Sequence, residues 1–290
     1  MTVLDWLLES DRSIRWQVLR DFADAPADVV VAERVRVAAA GWGARLLALC
    51  GDGGQWAGGA HFPAQGGGSD GGPASGADAQ DGHVKSGSHD GPGDGGQPWT
   101  ATTYSLLQLR DFGVDPGSDQ MRRIVALVRD NCRWEEGGQP YFTGEIEPCI
   151  NGMAVGLGAY FGQAGDGVVS RLISEQLDDG GWNRWAGHGA VVSSAATTIN
   201  VVEGLLAHEQ STGGSAESIE ARRLGEEYLL ERRLFRRKST GEVIDPAWLG
   251  FSFPTRGHYG ALRALEDFRS AGGPPDPRMA EAIGLLRSKR

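Results

Sequence analysis

One helical pattern recurs along the chain at nearly constant spacing, and this repeat constrains the fold more than any other feature of the sequence. Four segments, 102–112, 150–161, 198–208 and 259–268, are rich in Gly, Ala and Leu and are apolar over most of a helical circumference. They begin near residues 100, 149, 197 and 257, so the first two intervals are 49 and 48 residues. Because such helices are usually buried on most sides, the pattern predicts four inner helices.

Amphipathic helices alternate with these inner helices. Segments 121–132, 168–177 and 218–233 each carry an apolar stripe on a charged surface, and Asp276-Pro277 is a typical start for a fourth. Segment 13–22 has a similar stripe. We expect it to form an incomplete first repeat together with one long or two short helices within 29–50. Helix pairs that recur every 40 to 50 residues or so indicate an all-α array.

Three of the inner helices are preceded by a loop with two glycines and an aromatic residue. These loops are Gly53-Gly54-Gln55-Trp56, Gly137-Gly138-Gln139-Pro140-Tyr141 and Gly180-Gly181-Trp182-Asn183, and the fourth loop keeps only Thr240-Gly241. The glycines permit turns with positive φ. We expect Trp56 and Trp182 to pack on the next repeat. We expect the amide of Gln176 to bond to the end of a neighbouring helix.

A block of low complexity interrupts the first repeat. The chain has 45 glycines, about twice the ordinary share of roughly 7%, and many lie between residues 51 and 97. The centre of the block, 64–96, has almost no large apolar residue, which predicts a disordered insertion of about 40 residues within a single domain, 1–290. His83 and His89 lie in it without the spacing of metal ligands, so a solvated linker is the simpler interpretation.

Charge and cysteine content exclude several classes of function. The net charge of −10 argues against nucleic acid or an anionic membrane as the main partner. No segment approaches the roughly 18 apolar residues of a membrane span, and the first residues lack the pattern of a signal peptide. The three cysteines, Cys50, Cys132 and Cys149, are an odd and sparse set that favours a cytoplasmic location over a disulfide framework.

The combination of helix pairs and Gly-Gly-Trp loops resembles the superfamily of squalene cyclases and protein-prenyltransferase β subunits. The residues that carry the resemblance are Gln176 to Asn183, which is similar to the Gln-Trp motif of triterpene cyclases, together with 99–104, 147–153 and 251–254. Small squalene cyclase-like proteins of bacterial type are similar as well. The resemblance implies an α/α toroid of about five inner–outer helix pairs. It covers nearly the whole chain except the insertion.

The resemblance also implies candidate chemistry. The Asp-x-Asp-Asp acid of class II cyclases is missing from the inner-helix starts. Prenyltransferase β subunits hold zinc with an Asp-x-Cys pair and a histidine, and Glu147, Cys149 and His258 have a similar placement, so zinc is the expected cofactor if the chain is a metalloenzyme. Arg184 and Ala196 stand where the squalene cyclase-like group has a Cys and a His, which weakens a metal site. A lone cysteine such as Cys149 is also a common core residue.

The starts of the inner helices should line the centre of a toroid, where aromatic residues favour an apolar ligand. The predicted ligand-binding residues are Trp99, Tyr104, Phe142, Asn151, Trp185, Phe253 and Tyr259. The predicted catalytic residues are Glu147, Cys149, His258 and Asp245, the last of which is equally consistent with a turn. We therefore expect a protein that acts on or binds an isoprenoid or another apolar small molecule. The alternative is a non-catalytic toroid that binds a lipid-like ligand or a protein partner.

Two further features have alternative interpretations. Glu203 lies in an inner helix, where a basic partner would make it structural and the lack of one would make it a functional candidate. A basic run includes Arg232, Arg233, Arg236, Arg237 and Lys238. It could bind a phosphate group or complement the dipole of the preceding helix.

Overall fold

The computed structural model describes residues 1–64, 98–252 and 255–289, so the predicted insertion at 64–96 lies almost wholly outside the described residues. Within these ranges the all-α prediction is confirmed, and the only β structure is two isolated bridges. The α-helices are α1 (Val3–Leu8), α2 (Arg12–Asp21), α3 (Ala27–Val35), α4 (Gly41–Leu47), α5 (Thr102–Phe112), α6 (Asp119–Asn131), α7 (Pro148–Phe161), α8 (Asp166–Ser174), α9 (Ala195–Thr212), α10 (Ala216–Leu230), α11 (Ala261–Ala271) and α12 (Ala280–Ser288).

The four predicted inner helices correspond to α5, α7, α9 and α11. Helix α5 has the predicted bounds, whereas α9 is longer at both ends than the apolar pattern indicated. Segment 29–50 forms the two short helices α3 and α4. At the C-terminus, Asp276 caps a short 3-10 turn, Pro277–Met279, and α12 begins only after it.

The inner helices run parallel to one another. The hydroxyl of Tyr160 in α7 donates to the carbonyl of Val114, just after α5, at 2.6 Å. In α9 and α11, Glu203 pairs with Arg263 and Gln210 bonds to Ser270, and each pair is 60 residues apart in sequence. A constant separation along two helices requires that they point the same way. The helices α6, α8 and α10, which we call the outer helices, connect them.

Helices α7 and α9 approach each other so closely that their backbones touch. A Cβ atom at Gly204 would lie 2.2 Å from the carbonyl oxygen of Gly152, and one at Gly152 would lie 2.3 Å from that of Asn200. Gly156 faces Gly204 one turn further along α7. These contacts explain why α7 and α9 carry glycine at these positions, because any side chain at Gly152 or Gly204 would force the helices apart.

The third Gly-Gly-Trp loop fastens an outer helix to an inner one. The backbone N–H of Trp182 donates to Thr198 Oγ1 in α9 at 3.1 Å, and its indole N–H donates to the carbonyl of Leu172 in α8 at 2.7 Å. The fully buried ring packs against Gly225 of α10, in the next helix pair. The structural role predicted for Trp182 is therefore confirmed.

The first loop repeats these bonds. Trp56 N–H donates to Thr102 Oγ1 at 3.1 Å, and its indole N–H donates to the carbonyl of Leu46 at 2.8 Å. The tryptophan and threonine are 46 residues apart in this loop but 16 apart in the third loop. The first loop thus carries 30 additional residues, fewer than the 40 or so predicted from the sequence.

Gln176 ties the third loop to the next outer helix. Its side-chain amide donates to the carbonyls of Gly180 at 2.7 Å and of Ala221 at 2.8 Å. Ala221 lies inside α10, where its carbonyl already belongs to the helix. The predicted bond to a neighbouring helix is present, but the prediction that it reaches a helix end was wrong.

The second and fourth loops, which precede α7 and α11, share a different geometry. Each contains one antiparallel bridge, Arg133 with Pro140 and Arg236 with Val243. Two backbone bonds flank each bridge at the same spacing: Trp134 to Gln139 and Tyr141 to Cys132 in the second loop, and Arg237 to Glu242 and Ile244 to Phe235 in the fourth. The fourth loop is therefore a regular member of the repeat rather than a degenerate one.

No helix in residues 1–64, 98–252 or 255–289 is both long enough and apolar enough to cross a membrane.

We predict that Gly204→Ala destabilises the protein by about 1 to 3 kcal/mol, because the added methyl group overpacks a contact between two backbones. Gly284→Ala in α12 is the matched control. A Cβ there meets nothing within 4 Å, so the better helix propensity of alanine should stabilise α12 by roughly 0.5 to 1 kcal/mol. Urea denaturation measures both changes. Equal effects of the two substitutions would contradict the close contact.

Candidate functional site

The parallel inner helices bring their N-terminal ends to one end of the molecule. The loops before them therefore form a common surface, which we call the rim: residues 59–62, 99–104, 144–149, 183–194 and 255–260. Most of the residues predicted to act in catalysis or ligand binding lie on or next to it. The bonds between Thr102 and the carbonyl of Gly59, and between Thr103 and that of Ala60, join its first two segments.

Glu147 and Cys149 come together at the start of α7. Glu147 is the N-cap residue and Pro148 occupies the first turn, which directs Cys149 Sγ to within 3.3 Å of Glu147 Oε2. Although part of the residue reaches the surface, burial of the thiol and then the negative charge of Glu147 raise the pKa of Cys149 well above its usual range. The thiol therefore stays protonated at neutral pH and donates to the carboxylate.

Tyr104 and His61 form a second polar pair on the rim. The phenol oxygen lies 3.0 Å from His61 Nε2, and the two ring centroids are 4.9 Å apart. Burial, followed by the nearby Cys149 thiol and Glu147 carboxylate, raises the pKa of Tyr104 to about 12. The two pairs are thus close enough to act on each other electrostatically.

His61 is the functional candidate that the sequence did not reveal. It lies 43 residues before Tyr104, on the other side of the predicted insertion at 64–96. Glu135 holds it in place, since Glu135 Oε1 accepts the backbone N–H groups of His61 and Phe62 at 2.9 and 3.0 Å. The repeat could have located His61. The bond between Trp56 and Thr102 holds the first loop against the start of α5, so residues just after Trp56 must lie near Tyr104.

Three predicted ligand-binding residues are used inside the core. The Asn151 amide accepts from the backbone N–H of Glu145 at 2.7 Å and donates to its carbonyl at 2.9 Å. Phe142 is buried among other aromatic residues. Tyr259 is buried, and its hydroxyl donates to the carbonyl of Leu234 at 2.5 Å. These three side chains therefore pack in the core next to the rim.

Two predicted tryptophans lie beneath arginines at the rim. The Arg256 guanidinium is 5.0 Å from the ring centroid of Trp99, and the Arg184 guanidinium is 4.7 Å from that of Trp185. Trp99 precedes α5 and Arg256 precedes α11, so the first contact links the first inner helix to the last. Phe253 lies outside the described residues.

The three candidate zinc ligands are not assembled. Glu147 and Cys149 are in contact with each other, and His258 is exposed. In the described part of the chain no group of three or more His, Cys, Asp or Glu side chains could hold a metal ion. Asp245 accepts the N–H of Ala247 at 2.8 Å and caps a 3-10 turn, as its alternative interpretation suggested.

Five exposed apolar side chains lie in the rim loops, and others lie in residues 1–49. Phe62, Ile146 and Trp185 are each between 44 and 47% exposed, and Val191 and Val192 are 78 and 61% exposed. Two clefts formed by described residues, of about 570 and 500 Å³, lie elsewhere: one in the loop after α10, the other between α6 and the end of α7. None of the predicted ligand-binding residues lines either cleft. The rim is thus an open apolar surface around two polar pairs.

A buried ionic cluster joins α9 to α11. Arg263 donates to both carboxylate oxygens of Glu203, at 2.7 and 2.6 Å, and to Asn200 Oδ1 at 2.8 Å. Glu203 therefore has the basic partner that its structural interpretation required. The cluster ties two inner helices together, as the glycine contact ties α7 to α9.

Asp267 lies next to this cluster without a hydrogen-bond partner. The residue is 4% exposed, and neither carboxylate oxygen bonds to any described group. Burial raises the pKa of Asp267 well above its usual range, and the charges of Glu203 and Glu226 add to this, whereas Arg263 and Arg222 oppose it. A buried carboxyl in this setting favours its neutral form.

No family model, no curated protein and no solved structure matches this chain.

We predict that Cys149 reacts with N-ethylmaleimide at pH 8 at least about tenfold more slowly than Cys50, because the thiolate is the reactive form. Burial alone raises the pKa of Cys50, whereas at Cys149 the charge of Glu147 adds to burial. Glu147→Gln should speed the labelling of Cys149 modestly and leave Cys50 unchanged. Peptide mass spectrometry measures both rates. Labelling of Cys149 as fast as Cys50 would contradict the assigned proton.

We predict that Asp267→Asn stabilises the protein at pH 7 by about 1 to 3 kcal/mol, because it replaces an unpartnered buried carboxyl by a neutral group. The folded-state pKa is raised, so the wild-type protein loses stability as pH rises from the unfolded-state pKa towards the folded-state value. The gain should therefore shrink near pH 4. Thermal unfolding across pH measures it, with the exposed Glu220→Gln as control, and lower stability of Asp267→Asn at pH 7 would contradict the assignment.

Proposed function

We propose that this chain is a helical-pair protein of the α/α-toroid type that binds an apolar small molecule at the rim, with isoprenoids as the leading ligand class. The parallel inner helices and the alternating outer helices support this architecture. The contact of Trp99 with Arg256, between the first and last inner-helix starts, is what a closed ring requires.

The observation that carries the proposal is the group of exposed apolar side chains in the rim loops. Val191, Val192 and Trp185 precede α9, and Ile146 precedes α7. In this proposal, loops from the two repeats contribute to one surface. Fully burying a side chain such as valine gains about 1.5 kcal/mol or more. A ligand that covered this surface would gain from several such contacts.

The polar pairs at the rim favour a ligand with one polar end. Cys149 and Tyr104 hold their protons at neutral pH. Since Cys149 donates its proton to Glu147, the Glu147 carboxylate and the phenol oxygen of Tyr104 are the groups that can accept a hydrogen bond from a ligand hydroxyl. An isoprenoid alcohol combines such a group with an apolar chain. The same protonation favours binding over nucleophilic catalysis, because a nucleophilic cysteine must ionise.

A catalytic toroid is the second candidate function, and the contact between Glu147 and Cys149 favours it. The pair retains the carboxylate-x-Cys spacing at an inner-helix start, and Glu147 lies within reach of the thiol proton. In this alternative the two residues would act as acid and base. A protein partner on the rim is the third outcome that the test below separates.

We predict that farnesol binds the purified protein and changes its tryptophan fluorescence. The double variant Val191→Ser, Val192→Ser should bind farnesol about tenfold more weakly, because it loses apolar contact. The matched control is Val31→Ser with Val35→Ser, since these valines of α3 are 60 and 57% exposed but lie far from the rim in the chain. The control should bind as the wild type does. Fluorescence titration measures all three proteins.

Equal weakening in both double variants, or no saturable binding to the wild type, would contradict the proposal. Native mass spectrometry of the same samples distinguishes the alternatives. Farnesol recovered unchanged supports binding alone, whereas a new product, or zinc that is lost in Cys149→Ala, supports the catalytic candidate. A bound protein would support the scaffold.

A further inference from the structure

A basic cleft follows α10, outside the rim. It has a volume of about 570 Å³ and is lined by Glu231, Arg233, Arg236, Arg237, Lys238, Gly241 and Glu281. Four of these side chains are cationic and two are anionic, in a chain whose net charge is −10. The cleft is therefore a local region of positive charge on an acidic protein.

Two of the four cations are neutralised by the two carboxylates. Arg236 Nε lies 2.8 Å from Glu281 Oε2, and Lys238 Nζ lies 2.7 Å from Glu231 Oε2. Arg233 and Arg237 form no ion pair within 4.0 Å with any carboxylate in the described ranges. Their two guanidinium groups supply the excess charge of the cleft.

The side chains of Arg233 and Arg237 do not make the direct contact with the C-terminal end of α10. Arg232 serves that end of the helix, since it donates to the carbonyl of Tyr228 at 2.9 Å and lies 3.5 Å from the centroid of the Tyr228 ring. The side chains of Arg233 and Arg237 make no hydrogen bond to a carbonyl of α10 among the described residues.

The backbone holds both arginines in fixed places. Arg233 and Leu234 have φ values of 46° and 70°, in the left-handed region that residues other than glycine rarely adopt. This turn buries Leu234 and leaves Arg233 exposed. Arg237 lies in the bridged loop. Its backbone N–H donates to the carbonyl of Glu242 at 2.8 Å, and its carbonyl accepts from the backbone N–H of Gly241 at 2.8 Å. A fixed backbone reduces the entropy lost when the side chains bind an anion.

We propose that Arg233 and Arg237 bind the phosphoryl group of a small phosphate ester or diphosphate in this cleft. Guanidinium groups match phosphate oxygens with paired, charge-assisted hydrogen bonds. Clefts of roughly 300 to 1,000 Å³ accommodate small molecules. The net charge of −10 disfavours a long polyanion such as nucleic acid, so the proposed ligand carries a single phosphoryl group or a pair. The proposal does not depend on the function of the rim.

We predict that inorganic pyrophosphate binds the wild-type protein saturably, and that Arg233→Ala with Arg237→Ala weakens binding at least about tenfold. The matched control is Arg45→Ala with Arg123→Ala, which removes two exposed arginines elsewhere and so changes the net charge equally. The control should bind pyrophosphate within about twofold of the wild type. Isothermal titration calorimetry at low ionic strength measures the three affinities.

A second measurement on the wild-type protein covers the case in which the double variant does not fold. Pyrophosphate should protect Arg233 and Arg237, but not Arg45, from modification by phenylglyoxal, as read by peptide mass spectrometry. Glycerol phosphate and vesicles containing phosphatidic acid distinguish a soluble ester from a lipid headgroup, and binding of either supports the phosphoryl site. No saturable binding, equal loss in the control, or citrate binding as tightly as pyrophosphate would overturn it.

Discussion

The contact between the backbones of α7 and α9 is the constraint on which the rest of the structure depends. Gly152 and Gly204 let two parallel helices touch without side chains between them. This contact fixes the position of one helix along the axis of the other, so that the loops before them end at the same end of the helix pair. The polar pair of Glu147 and Cys149 and the exposed Val191 and Val192 then share one surface because their helices are locked together. The buried pair of Glu203 with Arg263 serves the same purpose between α9 and α11.

The loops show that the repeating unit is two helix pairs rather than one. The first and third loops use a tryptophan that bonds to an inner-helix threonine, whereas the second and fourth loops use a backbone bridge. The two kinds alternate along the chain. Each kind solves the same problem, which is to reverse the chain direction between an outer and an inner helix while satisfying its backbone groups.

Much of the helical architecture could be predicted from the sequence, because apolar periodicity reports burial directly. The loop role of Trp182 could be predicted from the Gly-Gly-Trp pattern. The fourth loop was misjudged because its bridge, Arg236 with Val243, is made by backbone atoms and requires no particular side chains. The pairing of His61 with Tyr104 was missed because a long insertion separates them. The isolation of Asp267 depends on which side chains surround it in space, and no local pattern encodes that.

The first loop also shows how the number of residues between two helices can differ while the helices keep their positions. Thr102 bonds to Trp56 and to Gly59, and the N–H of Ala64 bonds to the carbonyl of Ala57, so the chain is fastened on both sides of residues 65–97. Since the entropy of closing a loop grows only slowly with its length, the number of residues between these fastenings can change without disturbing the helices. This point in the chain is therefore a natural graft site, where a fluorescent reporter or a whole domain could be introduced beside the rim.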